Sequence, residues 1–380
     1  MRTLIICSVW PEENASAAGV RTMQIARTCK NVTLASHAKN QKNLEFPTIE
    51  IGTDFQQKLI DFDLVIFDRF IMEEYYGWMV REALPEALQI LDMQDVHFLR
   101  RARQETPSID PKTIRSDTLL RELGSIYRVD GTLVISSYEY ALLQDFGIPQ
   151  NLLCHYPMYA EKMQSVPAFD ARAGFSFLGN FRHAPNLDAA LYLLSIWPRV
   201  LEKIPHATLH LFGAYPVKSI SDKVRSAKGV KLHAHVPDAK ESLASTLVQI
   251  VPLRFGAGIK GKILSSWMAG TPVVTSSIGA EGMHDGEHFG GSIVDDEAIF
   301  IEEALRLATH ESAWKKAQNQ GALLLETLFN RALLEEKLMQ FIETRRMEEQ
   351  NLIGSILRHD TCARTRYFSK WLALKKEFLA

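Results

Sequence analysis

Short apolar runs alternate with amphipathic stretches along the first half of this chain. The runs have the length and the aliphatic content of buried β-strands, and helix-like stretches lie between most of them. They span residues 3–9, 32–35, 48–51, 64–67, 87–91 and 131–135. Such alternation predicts a parallel sheet covered by helices. Because ligands of open parallel sheets bind beyond the carboxyl ends of the strands, we look for chemistry at those ends.

A second alternating series follows the first. It opens with a strand and loop over residues 175–186. Further strands are predicted at 207–212, 229–232, 247–253, 272–274 and 291–294, and helical patterns at 297–308 and 312–349. Residues 151–157 end the first series, and the polar stretch 158–172 is interpreted as a linker. With 380 residues the chain has the length of two domains rather than one. We therefore expect α/β domains at 1–160 and 161–350, and an amphipathic helix at 351–380.

The strand predicted at 247–253 leads into a glycine-rich turn that ends in a lysine. Gly256 and Gly258 let the backbone approach a ligand closely, and we expect a helix to open at Lys260 with free N–H groups that favour an anion. Lys260 adds a positive charge, so the turn has the chemistry of a phosphate cradle. It is neither GxGxxG nor GxxxxGK[ST], so the dinucleotide fold and the P-loop NTPases are not indicated. An ordinary strand-to-helix turn with a solvated lysine is the alternative.

The whole stretch resembles the donor-binding motif of GT-B glycosyltransferases, particularly the GT4-like group of the glycosyl transferases group 1 family. The matching elements, in the family's order, are Gly256-Ala257-Gly258-Ile259-Lys260, Ala269-Gly270, Pro272-Val273-Val274 and Gly279-Ala280-Glu281-Gly282. The resemblance implies two Rossmann-like domains in a GT-B architecture, with a C-terminal helical segment that crosses back to the first domain. It also implies a retaining transferase that moves a sugar from a UDP- or GDP-sugar to a sugar, lipid-linked or other hydroxyl acceptor. No metal and no cofactor are expected.

This stretch departs from the family pattern at two positions. Many members carry two glutamates eight positions apart, and Ala257 and Ser265 stand there in this chain. The second glutamate commonly holds the ribose hydroxyls of the donor. Ser265 offers one hydroxyl hydrogen bond in its place.

The loop after the first strand of the second domain supplies further candidates. In many family members this loop brings an Arg and a Lys to the diphosphate, and the corresponding positions here are Asn180 and Asn186. Arg182 is the nearest substitute, although Asn186 also has the character of a helix cap. His235 and Val236 occupy the place where family members bind the nucleobase through backbone groups.

Two loops of the first domain resemble the acceptor side of the family's cleft. One contains Gly19, where members often have two adjacent glycines; it is otherwise a helix-start residue, and Arg21 beside it could reach a phosphate or be solvated. The other contains Asp95 and His97, whose carboxylate and imidazole can orient a sugar hydroxyl or take its proton. A helix cap at Asp95 and a surface position for His97 are the alternatives.

Together these arguments give one set of candidate residues. The candidate catalytic residues are Asp95, His97 and Lys260. The candidate donor contacts are Gly19, Asn180, Arg182, His235, Val236, Arg254, Gly256, Gly258, Lys260, Ser265, Gly279, Ala280, Glu281 and Gly282. Lys262, two residues beyond Lys260 on the same predicted helix, is expected to point about 200° away from it and so to serve as a control.

The net charge of the chain and the spacing of its cysteines limit which partners and which cellular compartment are expected. Lys and Arg number 43 against 45 Asp and Glu, so the formal net charge is −2 and a dedicated nucleic-acid binder is not indicated. The four cysteines lie far apart without CxxC spacing, which is typical of thiols in a reducing compartment. The first apolar run is too short for a signal-peptide core, so we expect a cytoplasmic protein.

The tail at 351–380 is basic and amphipathic, and two uses remain open for it. It could rest on an anionic bilayer at the inner face of the membrane, or its aromatic residues could pack on the first domain. Two other functions also remain open, namely a GT-B sugar-nucleotide epimerase and a catalytically silent GT-B-like subunit or binding protein. The second is motivated by Ser265, Asn180 and Asn186.

Overall fold

The computed structural model describes residues 1–13, 16–39, 44–234, 236, 238–284, 286, 288–348, 352–359 and 371. Within these residues the chain forms two separate parallel sheets. The strands of the first are β1 Thr3–Ile6, β2 Val32–Ser36, β3 Thr48–Glu50, β4 Leu64–Asp68, β5 Leu88–Asp92, β6 Gly131–Val134 and β7 Leu153–His155. Those of the second are β8 Phe175–Leu178, β9 Leu209–Phe212, β10 Val230–His233, β11 Val248–Val251, β12 Val273–Thr275 and β13 Gly291–Ile293.

Helices connect the strands and cover both sheets. The helices of the first half are α1 Ala17–Cys29, α2 Phe55–Lys58, α3 Phe70–Ala83, α4 His97–Glu105, α5 Asp117–Arg128 and α6 Ser137–Asp145. Those of the second half are α7 Ala184–Lys203, α8 Lys218–Ser226, α9 Ala239–Ala244, α10 Gly261–Met268, α11 Ser277–Ala280, α12 Glu297–Thr309, α13 Glu311–Thr327, α14 Arg331–Met347 and α15 Leu352–Arg358. No helix within the described residues is long and apolar enough to cross a membrane.

Both sheets reverse their strand order at one point. The first runs β3-β2-β1-β4-β5-β6-β7 and the second β10-β9-β8-β11-β12-β13, with every paired strand parallel. The reversals therefore lie between β1 and β4 and between β8 and β11. Crevices at such points, beyond the carboxyl ends of the strands, are where open sheets bind ligands. The two-domain α/β architecture predicted from the alternating pattern is confirmed.

Alternating residues of the central first-sheet strands, such as β1 and β4, enter different cores, which explains their continuous apolar runs. In β1, Leu4 and Ile6 pack into one cluster, whereas Ile5 packs into the cluster on the opposite face. A strand that is buried on both faces lacks the alternation of apolar and polar residues that a half-exposed strand has. One further cluster forms the core of the second domain.

The chain returns to the first domain through α14. Leu334, Leu338 and Ile342 of this helix belong to the same cluster as Ile5, and the Arg345 side chain donates to the backbone oxygens of Asp130 (2.7 Å) and Asn151 (3.1 Å). The return thus begins before the segment 351–380 to which the sequence had assigned it. α15 continues along the first domain, where Arg358 pairs with Asp130 at 2.8 Å. Residues 351, 360–370 and 372–380 of the expected tail helix lie outside the described residues.

Replacing Leu338 with alanine should destabilise the first domain by about 2–5 kcal/mol, because this leucine is completely buried between α14 and the sheet. Leu333 on the same helix is 55% exposed, so Leu333→Ala should change stability by no more than about 0.5 kcal/mol. Urea denaturation followed by circular dichroism measures both. Equal effects of the two substitutions would show that α14 does not complete the core of the first domain.

Candidate functional site

A cavity of about 1560 Å³ lies between the two sheets and is open to solvent. Both strand-order reversals contribute to its wall, since Arg69 follows β4, Gly179 follows β8 and Gly256 lies beyond β11. Other lining residues include Ala17, Ala18, Gln94, Asp95, Arg100, Met158, Leu178, Asn180, His183, Asn186, Gly258, Lys260, Lys262, Leu264, Ser265 and Met268. The edge of each sheet that was expected to carry chemistry therefore faces the other across one cleft.

The glycine-rich turn has the backbone conformation that its sequence predicts. Gly256 has φ 149° and Gly258 has φ 67°, both in the region that favours glycine. A Cβ at Gly258 would lie 3.2 Å from the Cβ of Asp95. The close approach that this glycine permits is therefore to the loop of the opposite domain, in addition to any ligand.

Lys260 lies at the cap of α10 and faces the cavity. Its side chain is largely buried, with 7% of the residue exposed, and Nζ donates to the backbone oxygen of Gly258 at 2.5 Å. Burial lowers the pKa of this ammonium, and the carboxylates of Glu281 and Glu139 oppose the effect. Within the described residues no carboxylate oxygen lies within ion-pair distance of Nζ. A cation held in this way at a cavity wall is suited to an incoming anion.

Lys262 also lies in the cavity wall, so its expected use as an outward-pointing control was wrong. Its Nζ donates to Oδ1 of Asn186 at 2.5 Å and sits 4.5 Å from the centre of the Phe177 ring. The 100° spacing fails because α10 begins at Gly261, and Lys260 before it has the non-helical angles φ −104° and ψ 89°. Burial, with a smaller effect of Lys260, lowers the pKa of Lys262 to about 7.

Sequence reasoning missed Lys262 as a site residue, although a signal for it was present. Family members were expected to have a cation at the position of Asn186, and this chain has an amide there. In the structure the ammonium of Lys262 contacts that same amide. The positive charge absent from one loop is thus supplied by the first turn of α10.

Asn180 and Ser265 both line the cavity, so both stay candidate donor contacts. The backbone oxygen of Asn180 accepts from Nδ2 of Asn186 at 3.0 Å, which ties this loop to the residue that holds Lys262. Ser265 lies on the cavity side of α10, and its hydroxyl donates to the Gly261 backbone oxygen at 3.1 Å. The lone pairs of this hydroxyl remain able to accept a hydrogen bond.

The two arginines proposed as donor contacts point away from the cleft. Arg182 is exposed, and its guanidinium stacks 3.9 Å from the centre of the Tyr215 ring. Arg254 forms an ion pair with Asp188, with Nε 2.8 Å from Oδ2, and lies over the ring of Tyr192. Neither side chain lines the cavity.

The turn Gly279-Ala280-Glu281-Gly282 packs against the first domain and does not line the cavity. The Glu281 carboxylate accepts from Nη2 of Arg103 at 2.6 Å and from Nη1 at 2.7 Å. Gly282 has φ 69°, and a Cβ there would meet the hydroxyl of Ser136 at 2.4 Å. This turn therefore joins the two domains, and its predicted contact with the donor has no counterpart in the geometry.

Asp95 and His97 were predicted together, but only Asp95 lines the cavity. Its carboxylate pairs with Nε of Arg100 at 3.1 Å. His97 is buried, with Nδ1 3.0 Å from the backbone oxygen of Asp95 and 3.2 Å from the Glu122 carboxylate. The imidazole thus supports the start of α4 from outside the cavity lining, with Nδ1 also 3.3 Å from Oδ1 of Asp95, and its catalytic role stays a prediction.

The loop that precedes α1 has no space for a side chain at Gly19. A Cβ there would meet the backbone oxygen of Glu12 at 2.4 Å, and it is the neighbouring Ala17 and Ala18 that line the cavity. Arg21 is fully buried, and its Nε donates to Asp92 at 2.8 Å, so it cannot reach a phosphate.

The remaining two candidates belong to the predicted nucleobase segment. Val236 packs against the small cluster of Phe212, Leu243 and Ala269. His235 lies outside the described residues.

Comparison with known proteins agrees with this geometry. Residues 172–310 match the family described as glycosyl transferases group 1. A comparison with curated proteins gives no match.

Solved structures show the same overall fold at low sequence identity. A sucrose-phosphate synthase from Thermosynechococcus elongatus has a TM-score of 0.68 and 13% identity, and the match covers 90% of this chain and 99% of that one. HepE from Anabaena, in complex with UDP and glucose, has a TM-score of 0.71 and 12% identity over 90% of this chain and 100% of that one. A glycosyltransferase from Rickettsia africae has a TM-score of 0.66 and 12% identity over 92% and 99%.

The fold and the family match therefore agree with the motif that first suggested them. This chain has the GT-B fold, and residues 172–310 of its second domain match the glycosyl transferases group 1 family.

Proposed function

We propose that this chain is a GT4-like retaining glycosyltransferase that moves a sugar from a nucleotide-sugar donor to a hydroxyl acceptor. The observation that carries this proposal is the pair of lysines, Lys260 and Lys262, whose ammonium groups lie at one cavity wall beside the glycine-rich turn. Within the described residues neither forms an ion pair with a carboxylate. A diphosphate would supply the missing negative charge to both.

The cavity wall around the lysines suits the rest of a nucleotide. Leu264 and Met268 of α10 and Leu178 at the end of β8 provide apolar surface for a base. The hydroxyl of Ser265 lies on the same cavity-lining face of α10, one turn from Gly261, and can hydrogen-bond a ribose. HepE was solved with UDP-glucose, and a pneumococcal O-GlcNAc transferase with UDP and GlcNAc, which favours UDP over GDP as the first nucleotide to test.

In the proposed reaction the bond between the anomeric carbon and the diphosphate breaks, and a new bond forms between that carbon and the acceptor oxygen. The acceptor proton passes to an oxygen of the departing diphosphate, so the reaction does not need a side chain as general base. Lys260 and Lys262 stabilise the negative charge that develops on the leaving group. In this proposal Asp95 of the first domain, which lines the same cavity, orients the acceptor hydroxyl.

A catalytically silent GT-B-like subunit is the second candidate. It is favoured by one observation, namely that Ser265 stands where many family members have a ribose-binding glutamate and Glu281 is already paired with Arg103. Such a protein would bind nucleotide without turnover. The epimerase remains a further possibility with the same donor.

The acceptor side and the location are also proposals. We propose a carbohydrate or lipid-linked acceptor and a cytoplasmic protein, in agreement with the buried thiols of Cys7, Cys29 and Cys154. A peripheral contact with the inner face of the membrane through residues 351–380 is supported by α15. This helix exposes Leu352, Ile353 and Ile356, and the basic stretch follows it in the sequence.

Calorimetry with UDP and GDP, with and without EDTA, tests donor binding. Micromolar binding that survives EDTA is expected, and a requirement for a divalent ion would contradict the metal-free site. Incubation with UDP-sugars and a panel of sugar acceptors, followed by NMR of the product, tests transfer and retention of the anomeric configuration. Nucleotide binding without product over the whole panel would favour the silent subunit.

Lys260→Met should lower turnover at saturating donor by about 10–100-fold, because a charge-assisted hydrogen bond to a buried phosphate is worth about 1.5–3 kcal/mol. The loss should appear in kcat as well as KM if the contact strengthens while the glycosidic bond breaks. Lys316→Met, at an exposed lysine of α13, is the control and should leave both constants unchanged. A Lys260→Met enzyme with normal kcat and normal donor affinity would remove Lys260 from the site.

Affinity for UDP-glucose should fall as the pH rises from 6 to 9. The Lys262 ammonium of the free protein has its pKa lowered to about 7, so above this pH the lysine must take up a proton before it can pair with the diphosphate. One linked proton reduces affinity by up to about tenfold per pH unit. The diphosphate of a UDP-sugar does not titrate in this range, which isolates the protein's contribution.

Lys262→Met is the control for the pH series. It should bind UDP-glucose more weakly at pH 6 and lose most of the pH dependence. An unchanged slope in this variant would assign the titration to another group.

A further inference from the structure

The glycine-rich turn of the second domain is held by a carboxylate of the first. Glu139 lies in the first turn of α6, and only 1% of the residue is exposed. Its Oε1 accepts from the backbone N–H of Gly258 at 2.8 Å and from that of Val96 at 2.9 Å. One carboxylate oxygen thus fixes the loop that carries Asp95 and the loop that carries Lys260.

The sequence around Glu139 predicts a different use for this side chain. Ser136 and Glu139 have the S-x-x-E spacing of a capping box, in which the glutamate would reach back to the N–H of the serine. In the structure the box is not formed. Within the described residues, Ser136 makes no side-chain cap hydrogen bond and its buried hydroxyl has no hydrogen-bond partner. Glu139 is directed into the second domain. Glu139 therefore stabilises the contact between the domains and not the N-terminus of α6.

Gly258 links Glu139 to Lys260, because it forms a hydrogen bond with each of them. Its N–H donates to Glu139, and its backbone oxygen accepts from Nζ of Lys260 at 2.5 Å. The peptide groups on both sides of Gly258 are therefore fixed, one by the first domain and the other by the lysine. A shift of the Gly258 N–H would move the acceptor that orients the Lys260 ammonium.

We propose that Glu139 is a positioning residue that holds Lys260 against the cleft through Gly258, so that the anion cradle is completed only when the two domains meet. The role of this cradle in binding a nucleoside diphosphate rests on the function proposed above. The placement of Lys260 by Glu139 does not.

Glutamine is the informative replacement for Glu139. Burial, reinforced by Asp95, raises the pKa of the carboxyl to about 7, while the N–H groups of Val96 and Gly258 and the charge of Lys260 act in the opposite direction. Both the neutral and the ionised acid keep an oxygen that accepts the two N–H groups. Glutamine keeps such an oxygen, whereas leucine fills a similar volume with no acceptor.

Amide exchange of the unliganded full-length protein tests the placement without any ligand. Glu139→Leu should increase the exchange rate of the peptide covering residues 256–260 by about tenfold or more, whereas Glu139→Gln should stay within about threefold of the natural chain. Glu122→Leu is the matched control. Glu122 is equally buried and accepts the N–H groups of His97 and Phe98, all within the first domain, so its loss should lower the Tm without changing exchange at 256–260.

A double-mutant cycle measured by UDP calorimetry tests the route through Lys260. Glu139→Leu should weaken UDP binding by about tenfold in the natural chain and by less than about twofold when Lys260 is already methionine. If the leucine variant does not fold, Glu139→Asp, which withdraws the carboxylate by one methylene, replaces it in both experiments.

Three results would overturn the proposal. These are unchanged exchange at 256–260, equal losses in the two Lys260 backgrounds, and a glutamine variant as impaired as the leucine variant. A natural chain that binds neither UDP nor GDP would remove the proposed function, and the exchange experiment would still decide the role of Glu139.

Discussion

The site depends on contacts by which the first domain holds the glycine-rich turn of the second. Arg103 donates to the backbone oxygen of Gly256 and pairs with Glu281, and Glu139 accepts the N–H of Gly258. These groups are buried, so the polar atoms of the turn would be left without partners if the domains separated without admitting water. The conformation of the turn and the relative position of the domains are therefore one structural feature.

This arrangement explains why several residues of the family motif form interdomain contacts and do not line the cavity. Glu281 and Gly282 lie at the interface with Arg103 and Ser136. Their spacing after the Pro-Val-Val strand reproduces the family motif because the same interface has to form. Two cations of the cavity wall, Lys260 and Lys262, instead lie at the start of α10, where they occupy the cap and the first turn.

The sequence was sufficient to predict the parts that depend on local pattern. The apolar run at 64–67 is β4 Leu64–Asp68, and the run at 131–135 is β6 Gly131–Val134. The conformations of Gly256 and Gly258 followed from glycine chemistry at a strand end. The contacts of the charged side chains could not be predicted from the local sequence, because their partners are distant in the chain. Arg254 pairs with Asp188 across 66 positions, and Arg103 pairs with Glu281 across 178. The orientation of Lys262 was mispredicted because helical spacing was applied to a cap residue.

The return of α14 to the first domain has a consequence for how the protein is made. Part of one face of the first sheet is covered by Leu334, Leu338 and Ile342, which leave the ribosome after the whole second domain. Chains usually fold domain by domain from the N-terminus during synthesis. Here the N-terminal sheet must wait with part of its apolar face uncovered until some three hundred and forty residues have been translated, a period of roughly 20–70 s at typical rates. Nascent chains of this protein should therefore be long-lived clients of ribosome-associated chaperones, and a fragment that stops at the interdomain linker should aggregate.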